Sequence, residues 1–132
     1  MPSTTIQRRI EWMDTDAAGI WHYSTATRFA EAAETELHRQ LGIVDLTFGL
    51  TPRVHVEFDF HRTVRFDDML DVTLAVSDVG TTSVTYDVTM TSDREPVATG
   101  RVVAVHIDEN GMPSPWPETL REALDGTAGS VG

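Results

Sequence analysis

Two carboxylates, Asp14 and Asp16, stand in the run Asp14-Thr15-Asp16-Ala17-Ala18-Gly19-Ile20, directly ahead of Trp21-His22-Tyr23 and an amphipathic stretch. The preceding Thr5-Ile6-Gln7-Arg8-Arg9-Ile10-Glu11-Trp12 reads as a short strand, so both acids fall at a strand exit. Gly19 lets the backbone turn tightly before a helix begins. A helix N-terminus presents unpaired N–H groups and partial positive charge, and so polarises a carbonyl or holds an anion. A carboxylate base or nucleophile beside such an end is what acyl transfer requires. The same pair in the simpler role would only cap the helix and complement its dipole.

The elements that must position these acids follow from periodicity. From Tyr23 to Leu41 the apolar residues Ala26, Phe29, Ala30, Ala33, Leu37 and Leu41 recur at helical spacing. Glu31, Glu34, Glu36, His38 and Arg39 fall mostly on the other side, Ser24 or Thr25 is the expected cap, and Gly42 ends the helix. After a loop with Gly49 and Pro52, Val54, Val56, Phe58 and Phe60 alternate with polar residues and predict a half-buried strand. Met69–Val76 and Val84–Met90 alternate likewise, joined by a hairpin turn at Asp78–Thr82. After a turn at Ser92–Pro96, a last strand runs from Val97 to about Ile107, with Val103, Val105 and Ile107 on one face. Pro117–Leu124 reads as a short helix. One long helix among antiparallel strands predicts an α+β domain over residues 1–125, a curved sheet wrapped around a central helix, with 126–132 as a flexible tail.

Composition narrows the chemistry. The 132 residues contain no cysteine, which removes disulfides, thiol catalysis and thiolate metal sites together. All ten basic residues are arginine, so Schiff-base and lysine general-base chemistry are absent and anions must meet Arg, a backbone N–H or a helix end. A net charge of −11 argues against nucleic-acid and anionic-membrane partners and is awkward for a phosphate-bearing ligand. The polar N-terminus and the lack of a long apolar run point to the cytoplasm. No two histidines have helical metal-ligand spacing, so neither a metal nor a cofactor is expected.

The string EWMDTDAAGIWHYSTATRFAEAAETELHRQLG resembles the opening of hotdog-fold thioesterases of the 4-hydroxybenzoyl-CoA thioesterase type. FHRTVRFDDMLDVTLAV is similar to that family's central strand pair, and VATGRVVAVHIDENGMPSPWP to its last strand and exit. The likeness spans about Ile6 to about Leu124. It implies a hotdog fold that pairs sheet edge to sheet edge into a homodimer or homotetramer, a use to which free sheet edges also lend themselves. It implies hydrolysis of an acyl-CoA, with Asp16 as nucleophile or general base and the backbone amide of Tyr23 polarising the thioester. Asp14 then orients the loop.

The remaining candidates carry less. Trp12 and Trp21 flank the loop and are candidates to line an acyl pocket around Gly19, or are core aromatics. His22 is the histidine nearest Asp16 in sequence, but relatives place theirs one position later, where this chain has Tyr23; packing is its alternative role. Arg62 and Arg65 are the best paired donors for nucleotide phosphates, with surface salt bridges as their simpler role. Some relatives carry basic residues in the hairpin that is Val79-Gly80-Thr81-Thr82 here, and their absence leaves an acyl-carrier-protein substrate open. The alternatives to CoA hydrolysis are therefore release of a carrier-bound acyl or polyketide chain, and acyl-CoA binding without turnover.

Overall fold

A computed structural model describes residues 1–128. Five strands, β1 (Ser3–Arg9), β2 (Arg53–Phe60), β3 (Met69–Val79), β4 (Ser83–Ser92) and β5 (Glu95–Val105), form one sheet in the order β1-β3-β4-β5-β2. Every neighbouring pair is antiparallel. Three helices, α1 (Ser24–Leu41), α2 (Val44–Thr47) and α3 (Glu118–Asp125), complete it. This is the expected α+β layout of one long helix against an antiparallel sheet.

The strict alternation of β3 and β4 sends Leu70, Val72, Leu74 and Val76 to the same face as Val84, Tyr86, Val88 and Met90, all of them buried. Helix α1 lays Ala26, Phe29, Ala30, Ala33 and Leu37 on β1 and β3, its alanines permitting close approach. Full burial of a Phe29- or Leu37-sized side chain contributes roughly 1.5–3 kcal/mol. Helix α3 buries Leu120, Ala123 and Leu124 against β3, and Trp116 ahead of it donates Nε1–H to the Ser83 carbonyl at 3.0 Å. The opposite face of the sheet is polar, with Thr5 hydrogen-bonded to Thr73 at 2.8 Å and Gln7 to Asp71 at 3.1 Å.

Two expectations need correction, at β2 and at α1. At and just beyond the end of β5, Val103, Val105 and Ile107 share one face, as expected, and are half-buried, while Val97, Ala98, Val102 and Ala104 are in the core. In β2 the apolar positions are not covered by this chain: Val54, Val56 and Phe60 are 61%, 42% and 47% exposed. The reason is position, because β2 is an edge strand that α1 meets at its Arg53 end and leaves bare beyond it. Only Phe58 is half-covered, by lying on Gly100, where any Cβ would stand 2.3 Å from its ring. Of the proposed tail, Gly126–Ala128 stay tied to α3 through the Ala128 N–H to Glu122 O bond at 2.8 Å, and 129–132 lie outside the described residues.

The second correction concerns α1. Glu34 and His38, expected on its solvent side, are 3% and 6% exposed. They sit one turn apart on the flank of the buried face and each meets a polar partner. Glu34 forms an ion pair with Arg53 of β2. His38 bonds the Tyr86 hydroxyl through Nε2 at 2.8 Å and the Thr47 hydroxyl through Nδ1 at 2.9 Å.

Burial, helped by the Arg53 guanidinium, pushes the His38 imidazole down to about 4. An unfolded His38 takes up its proton below the ordinary 6.5, the folded one only near 4, so its stabilisation is present above 6.5 and is lost as pH falls through that window. Glu34 works in the opposite sense, since burial raises its carboxyl against the pull of Arg53. Denaturant titrations of the native chain and a His38→Gln variant separate the two. The stability difference between them should shrink by on the order of 3 kcal/mol as pH falls from neutral to 4. A constant difference would contradict the buried neutral imidazole.

Candidate active site

The segment between β1 and α1 is held from both ends. Trp21 N–H donates to Val64 O at 2.9 Å, Asp67 N–H to Ile10 O at 2.8 Å, and Ile20 bridges Arg65. These bonds staple the acidic loop onto the residues that lead into β3.

Within the loop the two aspartates diverge. Asp14 ends a single 3-10 turn (Trp12–Asp14) and is 3% exposed. Its Oδ1 takes a charged bond from Arg28 at 2.5 Å and its Oδ2 the Glu11 N–H at 2.8 Å. Its carbonyl accepts the His22 N–H at 2.7 Å and the Thr25 hydroxyl at 3.0 Å. Every acceptor on Asp14 is engaged in holding the loop to α1. Asp14→Ala is expected to cost about 1.5–3 kcal/mol, read as a lower Tm, because Arg28 and the Glu11 amide lose a charged acceptor. An unchanged Tm would remove Asp14 from this role.

Asp16 makes only local bonds. Its Oδ1 accepts the Ala18 N–H at 2.8 Å, while its backbone exchanges bonds with Ile20 at 2.8 Å and Gly19 at 3.0 Å. Oδ2 has no partner among the described residues. The turn demands φ +79° at Gly19, a left-handed conformation that disfavours any side chain. A Cβ there would lie 3.9 Å from the Arg65 guanidinium, so Arg65 reaches across the loop.

Helix α1 opens without the expected Ser24 or Thr25 cap. Its N-cap residue is Tyr23, with no side-chain cap bond. Instead His22 Nδ1 accepts the Ser24 N–H at 3.1 Å, with the Ser24 hydroxyl at 2.7 Å. The amides around the turn are thereby occupied: Trp21 on Val64, His22 on Asp14, Ser24 on the imidazole and Thr25 on His22 O. Tyr23 alone in this run makes no N–H bond to a described residue. The helix start therefore offers the Tyr23 N–H, unpartnered among the described residues, at its positive end.

Asp16 and Tyr23 open into one cleft of about 470 Å³, walled by Ile20, Trp21, Phe60, His61, Arg62 and Thr63. Trp21 is buried and meets Phe60 edge-on, with ring centroids 5.8 Å apart. Of the residues singled out from sequence, Asp16, Trp21, Tyr23 and Arg62 line this cleft, while Gly19, on the loop, and Arg65, in the segment leading into β3, lie against each other outside its lining. His22 is not among the lining residues; its ring caps α1 and stacks on the Tyr23 ring at 4.3 Å. Trp12 lies apart, 78% exposed, against Phe66 at 5.0 Å. Sequence reasoning missed Phe60, His61 and Thr63 as walls. Their signal was the end of the β2 alternation, which marks where a strand delivers side chains to a site.

Arg62 donates one N–H to Ser92 O at 2.9 Å. Neither Arg62 nor Arg65 forms an ion pair with an acid among the described residues. No group of three or more His, Asp or Glu among the described residues is arranged to hold a metal ion, and no helix is long and apolar enough to cross a membrane.

Comparison with known proteins identifies the fold and the family. Residues 10–124 match the model of the thioesterase-like superfamily. The chain is 28% identical over 135 residues to the 1,4-dihydroxy-2-naphthoyl-CoA hydrolase of Synechococcus elongatus, covering 97% of this chain and 99% of that one. Its fold superposes on a Thermus thermophilus thioesterase complexed with coenzyme A and zinc, with a TM-score of 0.85 at 22% identity over 94% of this chain and 92% of that one. It also superposes on a 4-hydroxybenzoyl-CoA thioesterase variant complexed with 4-hydroxybenzoyl-CoA, with a TM-score of 0.82 at 21% identity over 92% and 98%. The five-stranded sheet with its long helix is thus a hotdog fold, and the chain belongs to the thioesterase-like superfamily of thioester hydrolases.

Proposed function

We propose that the chain hydrolyses an acyl-CoA thioester to the free acid and coenzyme A. One observation carries the reading: Asp16 and Tyr23 line the same cleft, and the Tyr23 N–H has no partner among the described residues. The thioester carbonyl oxygen accepts from Tyr23 N–H, which answers the negative charge that develops there. Asp16 either draws a proton from the attacking water or attacks the carbonyl carbon itself, forming an anhydride that water then opens. In both routes the C–S bond breaks, and the sulfur leaves as a thiolate that is protonated to coenzyme A. His22, engaged through Nδ1 at the helix start, is a positioning residue for the Tyr23 amide.

The cleft walls favour a flat acyl group, since Trp21 and Phe60 present an aromatic edge and face beside Asp16. Two of the named relatives act on or bind an aromatic acyl-CoA. A panel of aromatic, short-chain and long-chain acyl-CoAs, followed by free-thiol release, tests the reading. Aromatic substrates should be cleaved fastest. Absence of release from every member would refute it.

We infer further that two copies pair through β2. It is an unpaired edge with an exposed apolar row, Val54, Val56 and Phe60, of the kind that pairing covers. A two-fold axis makes the two β2 strands antiparallel, setting the Phe60 end of one copy, at its catalytic cleft, beside the Arg53 end of the other. Light scattering should give at least a dimer at micromolar concentration. A stable, fully active monomer would contradict the pairing.

A further inference from the structure

Of the three tryptophans, Trp21 and Trp116 are 5% and 6% exposed, whereas Trp12 is 78% exposed. An indole left so open is unusual, because its large apolar area favours burial. Its ring meets that of Phe66, itself 44% exposed, with centroids 5.0 Å apart and planes at 60°. Neither ring lines the Asp16 cleft.

The backbone around the pair is fastened. Ile10 N–H donates to Asp68 O and Asp67 N–H to Ile10 O, both at 2.8 Å, which ties together the two segments that carry the rings. Asp67 holds a left-handed φ of +76°, a conformation unfavourable to a non-glycine residue, and turns the chain directly after Phe66. Arg9 secures that turn, donating to the Asp67 carbonyl at 2.9 Å and to Oδ1 at 3.3 Å.

Charge and reach indicate what such a pair would meet. Arg65 precedes Phe66, and its guanidinium forms no ion pair with an acid among the described residues. The acids that follow are engaged, Asp67 with Arg9 and Asp68 Oδ2 with the Arg65 N–H at 2.8 Å. Ile20 bridges Arg65, and its carbonyl takes the Asp16 N–H, so Asp16 and Arg65 stand two strand spacings, or about 10 Å, apart. The pantetheine arm of coenzyme A is longer than that step, and beyond it come phosphates and then a flat purine. A purine has the π-face that stacks on an open indole whatever its hydrogen-bonding edge.

We propose that Trp12 and Phe66 form a stacking platform for the base at the nucleotide end of the substrate, with Arg65 meeting a phosphate between platform and cleft. The proposal rests on the acyl-CoA reading. It assigns Trp12 to recognition of the carrier and not of the acyl group.

The probe is adenosine 3′,5′-bisphosphate, which has the base and phosphates but no thioester. Added to the full native chain, it should quench the Trp12 emission saturably, while pyrophosphate, which lacks the base, should not. By calorimetry, Trp12→Ala should weaken binding of the bisphosphate at least about fivefold, and Trp12→Phe, which keeps a ring to stack on, should recover most of it. In turnover, the KM for acyl-CoA relative to that for acyl-pantetheine should rise by a similar factor in Trp12→Ala. Absent or unsaturable quenching, undiminished affinity in Trp12→Ala, or pyrophosphate binding as tightly as the bisphosphate would each overturn the platform. So would Trp12 emission that shifts with protein concentration, the mark of a second copy seated on it. Acyl-CoA hydrolysis that is indifferent to Trp12 would strike the platform and leave the acyl-CoA reading standing. Bisphosphate binding through Trp12 with no hydrolysis of any thioester would sustain the platform and count against that reading alone.

Discussion

An Asp16→Asn variant is expected to hydrolyse acyl-CoA at least about a hundredfold more slowly than the native chain, the scale of a lost acid–base group. The fold should be nearly indifferent. Asp16 contributes a single side-chain bond to the structure, from Ala18 N–H to Oδ1, and an asparagine carbonyl oxygen accepts it equally well. Loss of turnover with an unchanged Tm therefore isolates chemistry from architecture. The contrast with Asp14 sharpens the test, because there the loss should fall first on stability. Near-native turnover in the Asp16 variant would end the proposed mechanism.

The second large effect concerns the carrier. Arg62 lines the cleft with most of its guanidinium uncommitted, and Arg65 reaches across Gly19 without an acidic partner among the described residues. In a chain of net charge −11, two unpaired arginines beside one cleft are where phosphates would be met. Charge-assisted bonds are worth about 1.5–3 kcal/mol each, so Arg62→Ala with Arg65→Ala should raise the KM for acyl-CoA well above tenfold. Turnover of an acyl-pantetheine that lacks the phosphates should barely change. Equal losses on both substrates would assign the arginines to the fold, which for Arg62 would mean its bond to Ser92. No loss on either would favour a carrier-protein substrate docked elsewhere.

Helix α1 and strands β3 and β4 were legible because each buries one face against its own chain, so that periodicity and burial coincide. Strand β2 has the same alternation and is largely bare, since a pattern records that a face is to be covered but not by which molecule. Glu34 and His38 were misplaced for a related reason. On the border of a helical stripe a polar residue is buried when a partner arrives from elsewhere, and Arg53 and Tyr86 lie 19 and 48 residues away in sequence. Asp14 and Asp16 are alike in sequence and different in space; Arg28, arriving from α1, and the Glu11 amide fix the carboxylate of Asp14, while that of Asp16 takes only the Ala18 N–H. The cap at His22 went unread because an imidazole is not among the usual capping side chains.

The free amide at the start of α1 has a bearing on how this enzyme would look to a mutational survey. Half of its proposed machinery belongs to no side chain, so replacing Tyr23 with alanine, leucine or glutamine leaves the donor in place, and such a scan would score the position as dispensable. Only an imino acid deletes it. Tyr23 has φ −56°, within the range of a pyrrolidine ring, so proline at this one position meets the backbone's shape while taking away its hydrogen. The group proposed to polarise the thioester is thus shielded from most single-residue drift, and the genetic code can reach it through one residue type.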